Sequence, residues 1–169
     1  SKGGAYWEDS LVTTHPIAAT VNNVKDAFAN FDGITYGKGA SALKQLSYFA
    51  GSEAFQRGIQ FYMKTHAYKN TQLKDFISAV QTQTKKDIAA WGDVWLKQSG
   101  TDTLAASWTC SDGRLSQVQL STSTSEGATF RPQSVRVGIF KLSSAGGSKL
   151  LAAPRVDITE PVTFLQGDW

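Results

Sequence analysis

The chain has 169 residues, a net charge of +3, 41% apolar and 11% aromatic residues, and one cysteine, Cys110. That is enough apolar material for a packed core, so disorder is excluded as the default. The small, scattered charge gives no basis for binding nucleic acid or an anionic membrane, and no apolar run is long enough to cross a bilayer. Cys110 has no internal partner and fits a reducing compartment, which favours a cytoplasmic location. Ser1 to Gly4 lacks the basic-then-apolar layout of a secretory signal.

In chain order, Tyr6 to Val12 reads as the last turns of a helix, broken over Thr13 to Ile17 because Pro16 disfavours helix in the residue before it. His15, alone before that proline, reads as a surface or hydrogen-bonded structural residue. Asn22-Asn23 caps a short helix carrying Val24, Ala27 and Phe28. Asp32-Gly33 is a turn. From Lys38, Gly39, Leu43, Leu46 and Ala50 mark one helical face to about Ala50, and Gly51 can take the left-handed C-terminal cap. Tyr36 thus sits at a glycine-rich helix entry, beside Gly37. Its hydroxyl could point from the helix end into a cleft, but spacing alone favours a packing residue with a satisfied hydroxyl.

Ser52 is expected to cap a helix from Glu53 to about His66, with Phe55, Ile59, Tyr62 and Met63 on one face and His66 continuing it. Thr71 caps a further helix carrying Leu73, Phe76, Ile77 and Val80. Asp87 caps the last, from Ile88 to Leu96, with Gly100 closing it and Trp91 and Trp95 as core anchors. No basic stripe accompanies the tryptophans, so they are not read as a nucleic-acid platform.

The composition changes at Gly100. Strands are expected over Thr103 to Cys110, Arg114 to Ser121, Ser134 to Leu142 and Lys149 to Ile158, where apolar and polar residues alternate. Asp112-Gly113 is a hairpin turn, Ser121 to Gly127 a polar loop, and Ala145 to Gly147 another turn. The fold class is therefore segregated α+β: about five helices in residues 1–100, then a small antiparallel, β-sandwich-like portion in residues 101–169, which reads as an incomplete domain.

Several chemistries lack their residues. With only His15 and His66, neither followed by glutamate nor partnered one turn away, there is no H-E-x-x-H metallopeptidase helix, and no cysteine pair offers a zinc site. There is no G-x-S-x-G elbow, P-loop or dinucleotide fingerprint.

Four ordered segments nevertheless resemble the zinc aminopeptidases of the aminopeptidase N type, a gluzincin metallopeptidase family. They are Thr14 to Ile17, the FDGITYGKGA string from Phe31 to Ala40, Phe61 to Thr71, and Trp95 to Gly100. Asp102 departs from the pattern, a proline being common there. The resemblance implies that Tyr36 stabilises the oxyanion of the tetrahedral intermediate. It also implies that the parent protein binds Zn2+ and acts on peptides with a free N-terminus. The zinc ligands, the general base and the amine-binding glutamate of that family have no counterpart here. The chain is therefore expected to bind no catalytic metal by itself, to be inactive alone, and to partner the remainder of the same polypeptide. A non-catalytic helical scaffold with a β appendage is the rival reading, and an epoxide hydrolase-type relative is a third that no residue selects.

Overall fold

Helices occupy the chain as far as Trp95 and strands occupy it from Asp102 onward, the α+β order that periodicity predicts. The architecture comes from a computed structural model describing residues 2–124, 128–143, 146–167 and 169. The helices are α1 (Lys2–Asp9), α2 (Val24–Ala29), a π-helical turn (Ile34–Lys38) running into α3 (Gly39–Ala50), α4 (Ser52–Thr65), α5 (Leu73–Gln81) and α6 (Ile88–Trp95). Among the described residues no helix is long and apolar enough to cross a membrane.

Two caps lie where the sequence places them. Asn23 accepts the Asp26 N–H at 3.0 Å and Asp87 accepts the Ala90 N–H at 2.9 Å, each satisfying an amide that the first turn leaves open. Other boundaries differ. α1 ends at Asp9 rather than Val12, because the Ser10 and Leu11 amides turn back on the Trp7 and Glu8 carbonyls. Gly51, at φ +91°, joins α3 to α4 without a spacer, so Ser52 lies inside α4 rather than capping it; its ψ of 134° puts it outside the left-handed helical region but still in glycine territory. Before α5 the cap is Gln72, whose N–H donates to Asp75, while the Thr71 hydroxyl is 2.6 Å from that of Tyr62. α6 stops at Trp95, well short of Gly100.

The helical core gathers Ala42, Leu46 and Phe49 of α3, Val80 of α5, Ile88 and Trp91 of α6, and Leu96. Trp91 stacks on Trp95 with ring centres 5.5 Å apart, as anchors should. His66, closing α4, packs on Tyr62 at 5.4 Å, and Tyr62 meets Phe76 edge-on. Met63, expected on the same face, is exposed. The buried stripe of α4 is instead Ala54 and Gly58, because α4 lies so close to α5 that only small residues fit between the backbones.

The strands are β1 (Asp102–Ser111), β2 (Arg114–Thr124), β3 (Gln133–Arg136), β4 (Ile139–Leu142), β5 (Ser148–Ala152), β6 (Arg155–Ile158) and β7 (Val162–Leu165). They form a sheet in the order β1-β2-β7 and two antiparallel ladders, β3 with β6 and β4 with β5. Asp112 and Gly113 both have positive φ (52° and 74°), as a two-residue hairpin turn requires. β2 continues past Ser121 to Thr124, where polar loop was expected, because it stays paired with β1 as far as Asp102. The rest of that expected loop, Ser125 to Gly127, and Ala145 of the later turn lie outside the described residues. The two long strands expected over Ser134 to Leu142 and Lys149 to Ile158 each break in two. Pro154 has no N–H to continue a ladder, and opposite it the Val137 amide closes on the Pro154 carbonyl at 3.0 Å. β7 was not signalled, being four residues behind Pro161. Val118 and Leu120 of β2, Leu165 of β7 and Ile158 of β6 form a second core, with Val135 and Val156 packed against it.

The two cores are joined by charge. At the end of α1 the Asp9 carboxylate lies 2.8 Å from the Lys38 ammonium, and both side chains are buried. Asp9 also accepts the Thr14 hydroxyl and the Gly100 N–H, while Lys38 donates to the Gly100 carbonyl at 2.9 Å. Burial would raise the Asp9 carboxyl, but Lys38, Thr14 and Gly100 outweigh it and hold it below the usual carboxylate range. Next to this pair, buried Arg131 donates to the Val94 and Ser99 carbonyls and to Asp102 at 2.5 Å.

Two outcomes follow for stability. A Cβ at position 58 would lie 2.8 Å from the Val80 Cα and 3.3 Å from the Ala79 carbonyl. Backbone cannot swing aside, so Gly58→Ala should lower unfolding free energy by about 1–3 kcal/mol in urea titration. Lys38→Met strands the Asp9 carboxylate out of water and should lose about 3–5 kcal/mol, much of it recovered by adding Asp9→Asn. Denaturation midpoints of the two variants and of the double mutant check the coupling.

Candidate functional site

Tyr36 stands in the middle of the π-helical turn. Here the Gly39 N–H reaches the Ile34 carbonyl five residues back, the wider ring that marks π geometry. Ile34 and Lys38, four apart, face inward at 1% and 8% exposure, while Tyr36 between them faces outward at 62%. Its ring leans on Phe31 with centres 6.0 Å apart, and Phe31 in turn on Phe28 at 6.4 Å. To one side of Tyr36 opens an apolar groove of about 520 Å³ lined by Ile17, Leu43, Leu73, Phe76 and Leu96. A smaller hollow of about 250 Å³, also lined by Tyr36, includes Phe31 and Val21. The packing role favoured by spacing alone is not what the structure shows. The side chain stands at the surface, and its hydroxyl makes no hydrogen bond among the described residues.

The entry to this turn is fixed from outside it. The Asp32 carboxylate accepts the Thr35 N–H at 2.8 Å, and the Asp32 carbonyl accepts the Tyr36 N–H at 3.2 Å. The other carboxylate oxygen of Asp32 is 2.7 Å from His15 Nε2, and His15 Nδ1 is 2.8 Å from the Pro16 carbonyl. Glu8 of α1 accepts the Gly33 N–H at 2.7 Å. A side chain at position 33 would run into that carboxylate, since a Cβ there lies 2.6 Å from its oxygen. At the far end of the turn Lys38 is held by Asp9. Burial would raise the Asp32 carboxyl, but the Thr35 N–H and His15 outweigh it and keep it low.

His15 is thus a hydrogen-bonded structural residue, as its position before proline suggests. Both its ring nitrogens are taken, and His66 is stacked at the end of α4. Among the described residues no three histidine, cysteine, aspartate or glutamate side chains gather where a metal ion could sit, so these residues do not fit a catalytic zinc. Sequence reading singled out Tyr36 but passed over Glu8, Asp9, Asp32 and Lys38, which hold the turn. The signal present was an acidic pair at the end of the first helix and a lysine two residues past the tyrosine. Neither says which of them meet.

Comparison with known proteins bears on the family of the chain. The peptidase family M1 domain matches residues 4–95. Aminopeptidase N of Streptomyces lividans is 39% identical over 165 residues, which is 93% of this chain and 19% of that protein. Tricorn protease-interacting factor F2 of Thermoplasma volcanium is 35% identical over 130 residues, 77% of this chain and 17% of that protein. The crystal structure of Legionella pneumophila aminopeptidase A in complex with aspartic acid superposes with a TM-score of 0.64 over 83% of this chain and 16% of that one. At 19% identity it supports the fold alone. The chain spans about a fifth of the length of the Streptomyces relative. A family match over more than half of the chain, with a relative aligned along nearly all of it, shows that the chain belongs to peptidase family M1.

Proposed function

We propose that this chain is the part of a zinc-dependent M1 aminopeptidase that supplies the transition-state hydrogen-bond donor, Tyr36. On this reading residues 1–100 are the helical end of the catalytic domain and residues 101–169 begin the β domain that follows. The observation that carries it is the open Tyr36 hydroxyl on a turn anchored at both ends, within the string that resembles the family's. When water adds to the scissile carbonyl of a peptide, negative charge collects on the carbonyl oxygen. A phenol O–H already aimed outward, with no protein partner to give up, can donate to that oxygen. As the C–N bond breaks and the leaving amine takes a proton, the charge disperses and the hydrogen bond weakens. Tyr36 thus acts on the barrier rather than on substrate affinity. The described residues compose no metal site, so this reading places on them the donor and no metal-dependent step. The chain by itself is proposed to be inactive, and its substrates as part of the whole enzyme to be peptides with a free N-terminus.

Tyr36→Phe in the full-length polypeptide should reduce kcat on an aminoacyl anilide by about 10²–10³-fold, or about 3 kcal/mol, with KM little changed. Turnover near wild type would instead favour the scaffold reading.

A further inference from the structure

We propose that His15 is a positioning residue for Tyr36: as an imidazolium it clamps the Asp32 carboxylate, and through Asp32 it sets the backbone of the turn that presents the tyrosine. This deepens the reading of Tyr36 as an oxyanion donor and rests on it. The geometry carries the inference. His15 Nδ1 lies 2.8 Å from the Pro16 carbonyl and Nε2 lies 2.7 Å from Asp32 Oδ2. Both neighbours are acceptors. A neutral imidazole has one N–H and would leave the other nitrogen's lone pair facing an oxygen, whereas an imidazolium donates to both.

The clamp is one residue from the turn. Asp32 uses its second carboxylate oxygen for the Thr35 N–H and its carbonyl for the Tyr36 N–H. Two successive amides leading to the tyrosine therefore hang on the residue that His15 fixes. Without the imidazolium charge, the bond to Asp32 Oδ2 falls to a neutral one, or the bond to the Pro16 carbonyl is kept at its expense, and Asp32 is held less firmly. A donor displaced by about 1 Å loses up to about 10²-fold in rate.

The charged groups facing the ring favour its proton. Asp32 faces it from the turn, and Asp9 adds its field from the end of α1. Lys38 faces Asp9 from the far side, and Glu8 sits on Gly33. Partial burial pulls the His15 proton off, but the Pro16 carbonyl, Asp32 and Asp9 together outweigh it and raise the ring above the ordinary histidine value. A raised folded-state value means the doubly donating, charged clamp is complete below the unfolded value of about 6.5 and weakens to a single neutral hydrogen bond as pH rises through the folded one. Misplacement of Tyr36 therefore belongs to the alkaline side.

Nitrogen-detected NMR of the 169-residue chain between pH 5.5 and 9 tests this in a window where Asp32 itself does not titrate. The expected result is a His15 ring protonated on both nitrogens and more than half charged at pH 6.5, with the Thr35 and Tyr36 amides shifting at its midpoint. His15→Gln, which keeps a neutral donor toward Asp32 and need not unfold the chain, should abolish that shared midpoint. A His15 titration that leaves both amides still, or amides that titrate alike in the variant, overturns the clamp. In the full-length polypeptide, His15→Gln should reduce kcat by about tenfold or more and flatten the alkaline limb of its pH profile, with KM unchanged. An effect on KM alone overturns the positioning role. Near-normal turnover of Tyr36→Phe would sink the donor reading and the catalytic half of this one, while the NMR coupling judges the clamp separately.

Discussion

A carboxylate and an ammonium 2.8 Å apart, both removed from water, fix the geometry on which the rest of this chain depends. Compared with well-packed apolar side chains in its place, such a pair adds little net stability, because desolvating two charges offsets most of their attraction. What it provides is register. Asp9 must meet Lys38, and each must also meet Gly100, one at its N–H and the other at its carbonyl. Three separate pieces of backbone, the end of α1, the end of the π turn and the approach to β1, are thereby held at one point. Apolar surfaces could slide past each other by a fraction of a turn, whereas a buried ion pair that slides is left unpaired.

The same preference for polar fastening recurs along the seam between helices and strands. Each half has its own apolar core, and the contacts across the seam are directional. Arg131 spreads three donors over Val94, Ser99 and Asp102. The Trp95 indole N–H donates to the Pro132 carbonyl at 2.8 Å. Lys86 reaches Asp157 at 2.7 Å while lying over the Phe49 ring, and Arg155 lies over Tyr48 and donates to the Phe49 carbonyl. The Asp102 carboxylate completes the Arg131 fork with a charge-assisted bond.

Periodicity and capping made most of the helical half legible, because both are local: Asn23 and Asp87 sit where a cap must sit, and the α5 and α6 faces follow from spacing. Features that depend on distant partners were not. Gly58 reads as a weak helix residue until α5 is seen against it. The break at Pro154 matters only because Val137 lies opposite. The π turn is invisible for a different reason, since residues that favour α-helix also build a π turn, and one extra backbone atom group per ring leaves no mark on composition. For the site, spacing pointed Tyr36 toward the core, and the family string pointed it toward chemistry. Its exposure removes the buried packing role. The residues that anchor it, Asp9, Asp32 and Lys38, are ordinary charged residues in sequence, and their importance exists only in their meeting.

The outward direction of Tyr36 is set by the whole of α3, not by the tyrosine. Ile34, Lys38, Ala42 and Leu46 are buried at successive four-residue steps, a single row running from the π turn into the helix. Turning Tyr36 inward would rotate that row out of the core and pull Lys38 from Asp9. The cost of leaving one aromatic ring partly wet is small by comparison, since exposed apolar side chains are common on protein surfaces. This resolves the tension in the site. A tyrosine packed inside with a satisfied hydroxyl would have to break that bond before serving any other acceptor, and the loss would cancel the gain. An open hydroxyl on a turn anchored at Asp32 and Lys38 has no such protein bond to break, and the ordering that a proposed donor needs is supplied by the core and by Asp9–Lys38 and His15–Asp32 during folding.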